Sequence, residues 1–212
     1  RQYSPKQTLK VISPASIFEN INLDQNTNLL KEEGIDQSFI LFVGSFEPRK
    51  NIKNMLEAYS RLGKEVMVRV QFVCVGSDEW GLNIEEITQN LNIEKYVIIR
   101  RNVSNKVLAS LYDKALFLVM PSLYEGFGMP LIEAMYFGTP AITSDRPPMR
   151  DIVGNTGILV NPKHIDSIKQ GMQTLLFDYS LVVELGISAK ERSKSYSWNK
   201  SARDFFKLLG VV

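Results

Sequence analysis

Cysteine and histidine are almost missing from this sequence: Cys74 and His164 are the single representatives of each among 212 residues. A lone cysteine cannot close an internal disulfide, and its apolar setting, QFVCVG, reads as a buried, inert thiol in a reducing compartment. The sequence also shows no metal-ligand cluster of histidines, cysteines or spaced aspartates. Charge of one sign is lacking too. The 25 basic and 23 acidic residues leave a formal net charge of +2, which argues against the electrostatic footprint of a nucleic-acid binder, so any anion is held locally. No apolar run reaches the roughly 18 residues of a membrane-spanning helix. No charged-then-apolar leader opens the chain, whose first residue is Arg1. Solenoid-period repeats and low-complexity tracts are absent as well.

What is present is the composition of a folded domain, 44% apolar and 23% charged, in a chain somewhat longer than the roughly 150 residues of a typical domain. Short β-branched or aromatic runs alternate with longer amphipathic stretches, and Gly, Pro, Asn or Asp marks each switch. The strand candidates are Phe39 to Gly44, Val70 to Gly76, Tyr96 to Arg100, Leu116 to Met120, Pro140 to Ser144 and Gly157 to Val160. Several are apolar on successive positions, as strands covered on both faces must be. Between them lie helix candidates at Ile52 to Leu62, Ile84 to Leu91, Ser104 to Ala115 and Pro130 to Phe137. This alternation predicts an α/β fold with a parallel, doubly wound sheet of about six strands. Past Pro162 the pattern is wholly helical, over Ile165 to Phe177, Leu181 to Ser195 and Trp198 to Leu209, predicting helices that cover one face of the sheet or reach towards a partner domain. Residues 1–37 are polar and weakly periodic, and read as a linker or strap with a short helix near Asn28 to Glu33; residues 38–212 form the domain.

In such a sheet, ligands bind beyond the carboxyl ends of the strands, where loops run into helix N-termini. Two loops there carry chemistry. The first, Gly44 to Asn51 (GSFEPRKN), places adjacent Arg49 and Lys50 before a helix, where Arg can fork a diphosphate and Lys can serve as a point charge. Two solvated surface cations are the bland alternative, although cations at a helix start oppose its dipole. The second runs from Pro121 to Ala134 (PSLYEGFGMPLIEA). Gly126 and Gly128 permit close backbone approach, the helix expected from Pro130 aims free N–H groups at an anion, and Glu125 and Glu133 can face one cleft. Glu133 alone could equally be a first-turn dipole partner.

Together, FVGSFEPRKN and PSLYEGFGMPLIEAMYFGTPAITS resemble the carboxy-terminal domain of family-four (group 1) glycosyltransferases of the GT-B fold. The spacing from Glu125 to Glu133 matches that family's E-x7-E motif, and the similarity extends from Phe39 to Phe206, closing on Ser197, Trp198 and Ala202. The resemblance implies a Rossmann-like sheet with C-terminal helices, one half of a GT-B enzyme. It implies that Arg49 and Lys50 neutralise the donor diphosphate, that Glu133 accepts hydrogen bonds from the nucleotide's ribose, and that Glu125 contacts the donor sugar. It assigns phosphate or sugar binding to the backbone around Gly126, Phe127, Gly128 and Met129, places Gly44 at the mouth of the site, and makes Arg100 to Val103 the loop that cups the base. The chemistry implied is retaining, metal-independent transfer of a hexose, with oriented cations and N–H groups stabilising the departing diphosphate. No cofactor is expected beyond the nucleoside-diphosphate sugar itself. The EPRKN loop resembles bacterial mannosyltransferases of polysaccharide assembly, which points to mannose from GDP-mannose.

Departures from the pattern are local. Arg100 and Arg101 replace a usual glycine, either reaching the nucleotide or serving as surface charges, and Met149 and Arg150 stand where the family carries an acid. His164, in NPKHID, reads as a surface residue at a helix start. The family's amino-terminal domain, with its reaction-centre histidine, has no counterpart here. The expected partners are therefore a nucleotide-sugar donor, a glycan or lipid-linked acceptor and an amino-terminal GT-B domain, with no nucleic acid. The expected location is cytoplasmic, peripheral to the inner face of the membrane through that other half. A non-catalytic nucleotide-sugar-binding or regulatory module is the alternative. An NAD-type oxidoreductase is disfavoured, because no strand is followed by G-x-G-x-x-G with an acid about 20 residues on. Trp80 is assigned to stacking or to helix packing, and Phe205, Phe206, Leu208 and Leu209 to the core ahead of the alternative, an apolar face that binds a partner domain.

Overall fold

The computed structural model describes residues 11–18, 21, 29–78 and 81–210. Trp80, and much of the expected strap, lie outside the described residues. Six strands, β1 (Ser38–Val43), β2 (Val70–Val75), β3 (Val97–Arg100), β4 (Phe117–Met120), β5 (Ala141–Ser144) and β6 (Gly157–Val160), form one sheet in the order β3-β2-β1-β4-β5-β6. Every pairing is parallel. The continuous apolar runs are explained by the layers: Ile40 and Phe42 of β1 enter one buried cluster and Phe39 and Leu41 the other, so both faces are covered.

Ten α-helices are described: α1 (Leu29–Glu32), α2 (Ile52–Ser60), α3 (Lys64–Met67), α4 (Ile84–Asn90), α5 (Asn105–Lys114), α6 (Met129–Phe137), α7 (Met149–Val153), α8 (Ile165–Phe177), α9 (Tyr179–Ser193) and α10 (Trp198–Leu208). Helices α2, α4 and α8 cover one face and α5, α6 and α7 the other. The starts follow sequence chemistry. Asn83, Ser104, Asp178 and Ser197 each accept a backbone N–H at the head of α4, α5, α9 and α10. Helices α3 and α7, of four and five residues, were not expected, because one turn is too short to show a 3.6-residue period.

Two expectations are corrected. Helix α6 begins at Met129, capped by left-handed Gly128, which puts Glu133 beyond the first turn. The Phe205, Phe206, Leu208 and Leu209 side chains are not core: α10 buries no residue. It meets the early segment instead, where Trp198 Nε1 donates to the Ser16 carbonyl at 3.2 Å. That segment is itself docked, with Ala15 and Phe18 buried. Among the described residues no helix is long and apolar enough to cross a membrane.

The strand order reverses between β1 and β4, which lie side by side while the chain leaves β1 for β2 and β3 and returns through β4 to β5 and β6. The loops after β1 and β4 therefore diverge around a crevice at the carboxyl edge, the ligand position of open α/β sheets.

Candidate functional site

The loop after β1 turns through a single 3₁₀ turn, Pro48–Lys50, and ends on Asn51 at φ 61°, in the left-handed region that Asn tolerates best among non-glycine residues. This turn holds Arg49 and Lys50 side by side at the crevice. Both point at the same carboxylate of the β4 loop. Arg49 Nη1 lies 2.6 Å from Glu125 Oε2 and Lys50 Nζ 2.7 Å from Glu125 Oε1. A second carboxylate, Glu47, takes the other side of the Arg49 guanidinium at 2.7 Å. Ser45 donates to Glu47 at 2.5 Å and Ser122 donates to Glu125 at 2.7 Å.

The two cations are thus balanced by two carboxylates, and the unfavourable meeting of cations with a helix start is settled inside the chain. Burial pushes the Glu47 carboxyl up, but the Ser45 hydroxyl and the Arg49 guanidinium outweigh it and hold the group below the usual carboxylate range. Burial pulls the Arg49 guanidinium down, yet its bonds to Glu125 and Glu47 raise it further.

Backbone and side-chain bonds lock the loops together. The Leu123 N–H donates to the Arg49 carbonyl at 2.7 Å. The Asn51 amide donates to the carbonyls of Pro121 at 3.0 Å and Pro162 at 2.7 Å, joining the loops after β1, β4 and β6. Ser144 adds the end of β5 through the Ser122 carbonyl at 2.6 Å. A Cβ on Gly44 would stand 3.3 Å from Lys50 Cε, so this glycine leaves the lysine its channel. A Cβ on Gly126 would meet nothing within 4 Å and its φ is not in the left-handed region; the protein itself does not require glycine there.

Beyond Gly126, the N–H groups of Gly128 and Met129 head α6, where no earlier turn supplies acceptors. The Phe127 ring packs edge-on to Tyr196, with centroids 6.4 Å apart. Glu133, buried, receives the Tyr112 hydroxyl at 2.7 Å. Burial pushes its carboxyl above the usual range, and the Tyr112 hydrogen bond offsets only part of this. Its place in the second turn of α6 removes the first-turn dipole alternative, because that interaction fades beyond one turn. The structure gives Glu125 and Glu133 separate partners, Arg49, Lys50 and Ser122 for the one and Tyr112 for the other.

Val103 is half-buried against the core beside left-handed Asn102. Both arginines before it are engaged locally: Arg100 with Glu33 at 2.9 Å, and Arg101 with Asp78 and, at 2.8 Å, Glu85, its guanidinium lying 5.5 Å from the Phe46 ring centre. Met149 is fully buried in α7 and Arg150 pairs with Asp145 at 3.3 Å. His164 is exposed at the start of α8. Cys74 is sealed in the core, where burial pushes its thiol up. Among the described residues no group of three or more His, Cys, Asp or Glu is placed to hold a metal ion.

Sequence reasoning missed Glu47, Ser122, Asn51 and Tyr112. Glu47 and Asn51 stand in the quoted loop, where an asparagine just after two cations at a helix start is a turn signal. Ser122 and Tyr112 gave none.

The family model for glycosyl transferases group 1 matches residues 25–192. The O-antigen chain mannosyltransferase B of Escherichia coli is 31% identical over 163 residues, 76% of this chain and 43% of that protein. The solved sucrose-phosphate synthase of Thermosynechococcus elongatus superposes with a TM-score of 0.76 at 27% identity, over 86% of this chain and 47% of that one. A glycosyltransferase from Rickettsia africae gives a TM-score of 0.79 at 19% identity, over 94% of this chain and 57% of that one, a likeness of fold. The chain spans about half the length of each of these three proteins.

Proposed function

The chain belongs to the group 1 glycosyltransferases, and within that family we propose that it is the donor-binding half of a retaining, metal-independent enzyme that transfers mannose from GDP-mannose to a glycan or lipid-linked acceptor. The observation that carries this reading is the convergence of Arg49 and Lys50 on one buried carboxylate at the β1/β4 reversal. A diphosphate entering there offers both cations a stronger partner than Glu125 and Glu47. Its arrival releases the Glu125 carboxylate to accept hydrogen bonds from the donor sugar, beside the open space at Gly126.

As the bond from the anomeric carbon to the diphosphate oxygen breaks, negative charge grows on that oxygen. Arg49, Lys50 and the N–H groups of Gly128 and Met129 meet it with fixed positive charge. The acceptor oxygen bonds to the anomeric carbon on the face that the diphosphate leaves, the acceptor's proton passes to the departing diphosphate oxygen, and the nucleoside diphosphate leaves carrying it. Two side-chain cations and a helix terminus supply the neutralising charge, which is why the reading calls for no metal. Glu133 accepts from the ribose, and the Arg100 to Val103 segment cups the base. The mannosyltransferase named above, together with the EPRKN loop, supports mannose as the sugar. An amino-terminal domain supplies acceptor contacts in this reading, and it holds the enzyme peripherally at the cytoplasmic face of the membrane.

The test is calorimetric titration of the chain with GDP, UDP, ADP and dTDP without metal, beside the variant carrying Arg49→Ala, Lys50→Ala and Glu133→Ala. The reading expects GDP to bind and the triple variant to lose it. Silence from all four nucleotides at millimolar concentration would remove it.

A further inference from the structure

We propose that Tyr112 is a positioning residue for nucleotide recognition: its hydroxyl pins one oxygen of Glu133 so that the other is presented to the ribose hydroxyls of a nucleoside diphosphate. The proposal rests on the assignment of Glu133 to the ribose made above. Tyr112 lies on α5 and Glu133 on α6, and the phenolic oxygen stands 2.7 Å from Glu133 Oε2. Among the described residues this is the carboxylate's hydrogen-bonded partner, and no cation pairs with it.

The two carboxylate oxygens are treated differently. The described side-chain oxygens and nitrogens that are sealed from solvent without a partner come down to Gln71 Oε1. Glu133 Oε1 is not among them, and Glu133 keeps 8% of its surface exposed while the Tyr112 hydroxyl holds Oε2. An acid with one oxygen fixed by a buried phenol and the other free of that bond is an oriented acceptor, and an adjacent pair of ribose hydroxyls is a donor it fits.

Tyr112 is itself held on several sides. It is fully buried, its ring lies nearly parallel to Phe137 at 6.0 Å and takes the edge of Phe18 at 6.0 Å, and its carbonyl accepts the Thr139 hydroxyl. Such a phenol has no freedom to follow a wandering carboxylate; the carboxylate must come to it. Preorganisation of this kind lowers the ordering cost of binding.

The experiment titrates the full chain and its Tyr112→Phe variant with GDP and with 2′,3′-dideoxy-GDP, after circular dichroism and thermal unfolding have shown that the variant folds. Loss of a hydrogen bond to a charged acceptor predicts GDP binding about tenfold weaker in Tyr112→Phe, with 2′,3′-dideoxy-GDP bound equally by both proteins. A purely packing role would weaken both nucleotides alike, and that result, or no change in either, overturns the proposal. Glu133→Gln separates the two layers of argument. If it keeps the full preference for GDP over the dideoxy form, the assignment of Glu133 to the ribose is wrong. If it loses the preference while Tyr112→Phe keeps it, only the role of Tyr112 fails. Failure of GDP to bind the unaltered chain overturns both.

Discussion

Lys50 Nζ and Glu125 Oε1 are 2.7 Å apart, with side chains only 7% and 5% exposed, although 75 residues separate them in the chain. Arg49 reaches the same carboxylate from a position 38% exposed. Their removal should therefore have unequal structural effects and similar functional ones. Lys50→Met is expected to destabilise the fold by about 2–3 kcal/mol, less than the roughly 3–5 of a broken buried pair because Arg49 and Ser122 still hold Glu125. Arg49→Ala should cost no more than about 1 kcal/mol. Urea unfolding gives the stabilities and titration with GDP should show both variants losing affinity; an equally large stability loss from Arg49→Ala would contradict this account.

Glu133 supplies a pH-dependent prediction. Its folded carboxyl is raised by burial, so between the ordinary value of 4.5 and that raised value the folded state binds more protons than the unfolded state. Stability accordingly falls as pH rises through this window, and at neutral pH the charged form is a net burden. Glu133→Gln should raise the melting temperature at pH 7 and leave it nearly unchanged at pH 4, while weakening GDP binding. A melting temperature lowered equally at both pH values would show that the carboxylate is instead a structural anchor.

The Asn51 amide bridges two carbonyls from a left-handed backbone position. Asn51→Ala loses both hydrogen bonds and adds backbone strain, about 3 kcal/mol in sum. Asn51→Gly keeps the backbone comfortable and should cost about 2 kcal/mol. Chemical denaturation of both variants separates the two contributions, and a glycine variant as stable as the original protein would deny the bridge any worth.

Gly126 allows a test in which stability and binding part company. A methyl group there meets empty space, so Gly126→Ala should change stability by less than about 0.5 kcal/mol and still impair GDP-mannose binding by occupying the donor's space. Unchanged affinity would place the sugar elsewhere.

How far the sequence carried differs between fold and site. The strands were legible because several, β1 and β4 above all, are covered on both faces and apolar on successive positions, and α8 matched its predicted limits from Ile165 to Phe177. The loops bearing Arg49, Lys50, Gly126 and Gly128 were legible because punctuation residues cluster at strand ends. The pairing of Lys50 with Glu125 was not, since it is created by β4 lying beside β1 and no local pattern encodes that neighbour. Tyr112 and Glu133 meet for a similar reason, across two packed helices. The apolar positions of α10 show the converse limit: periodicity reports an apolar face, but not what covers it.

The central position of β1 also sets an order of events during synthesis. Its first edge is met by β2, but its other edge waits for β4, with Ile40 opposite Phe117. At about 5–20 residues per second, translation takes roughly four to fifteen seconds to cross that interval. For that time the nascent chain carries the unpaired edge of an apolar strand, a template for unwanted association. The crevice beyond β1 and β4 straddles this seam, so it cannot exist before β4 does, and a ribosome stalled before β4 would leave a chain with half a sheet and without the pairing of Lys50 with Glu125.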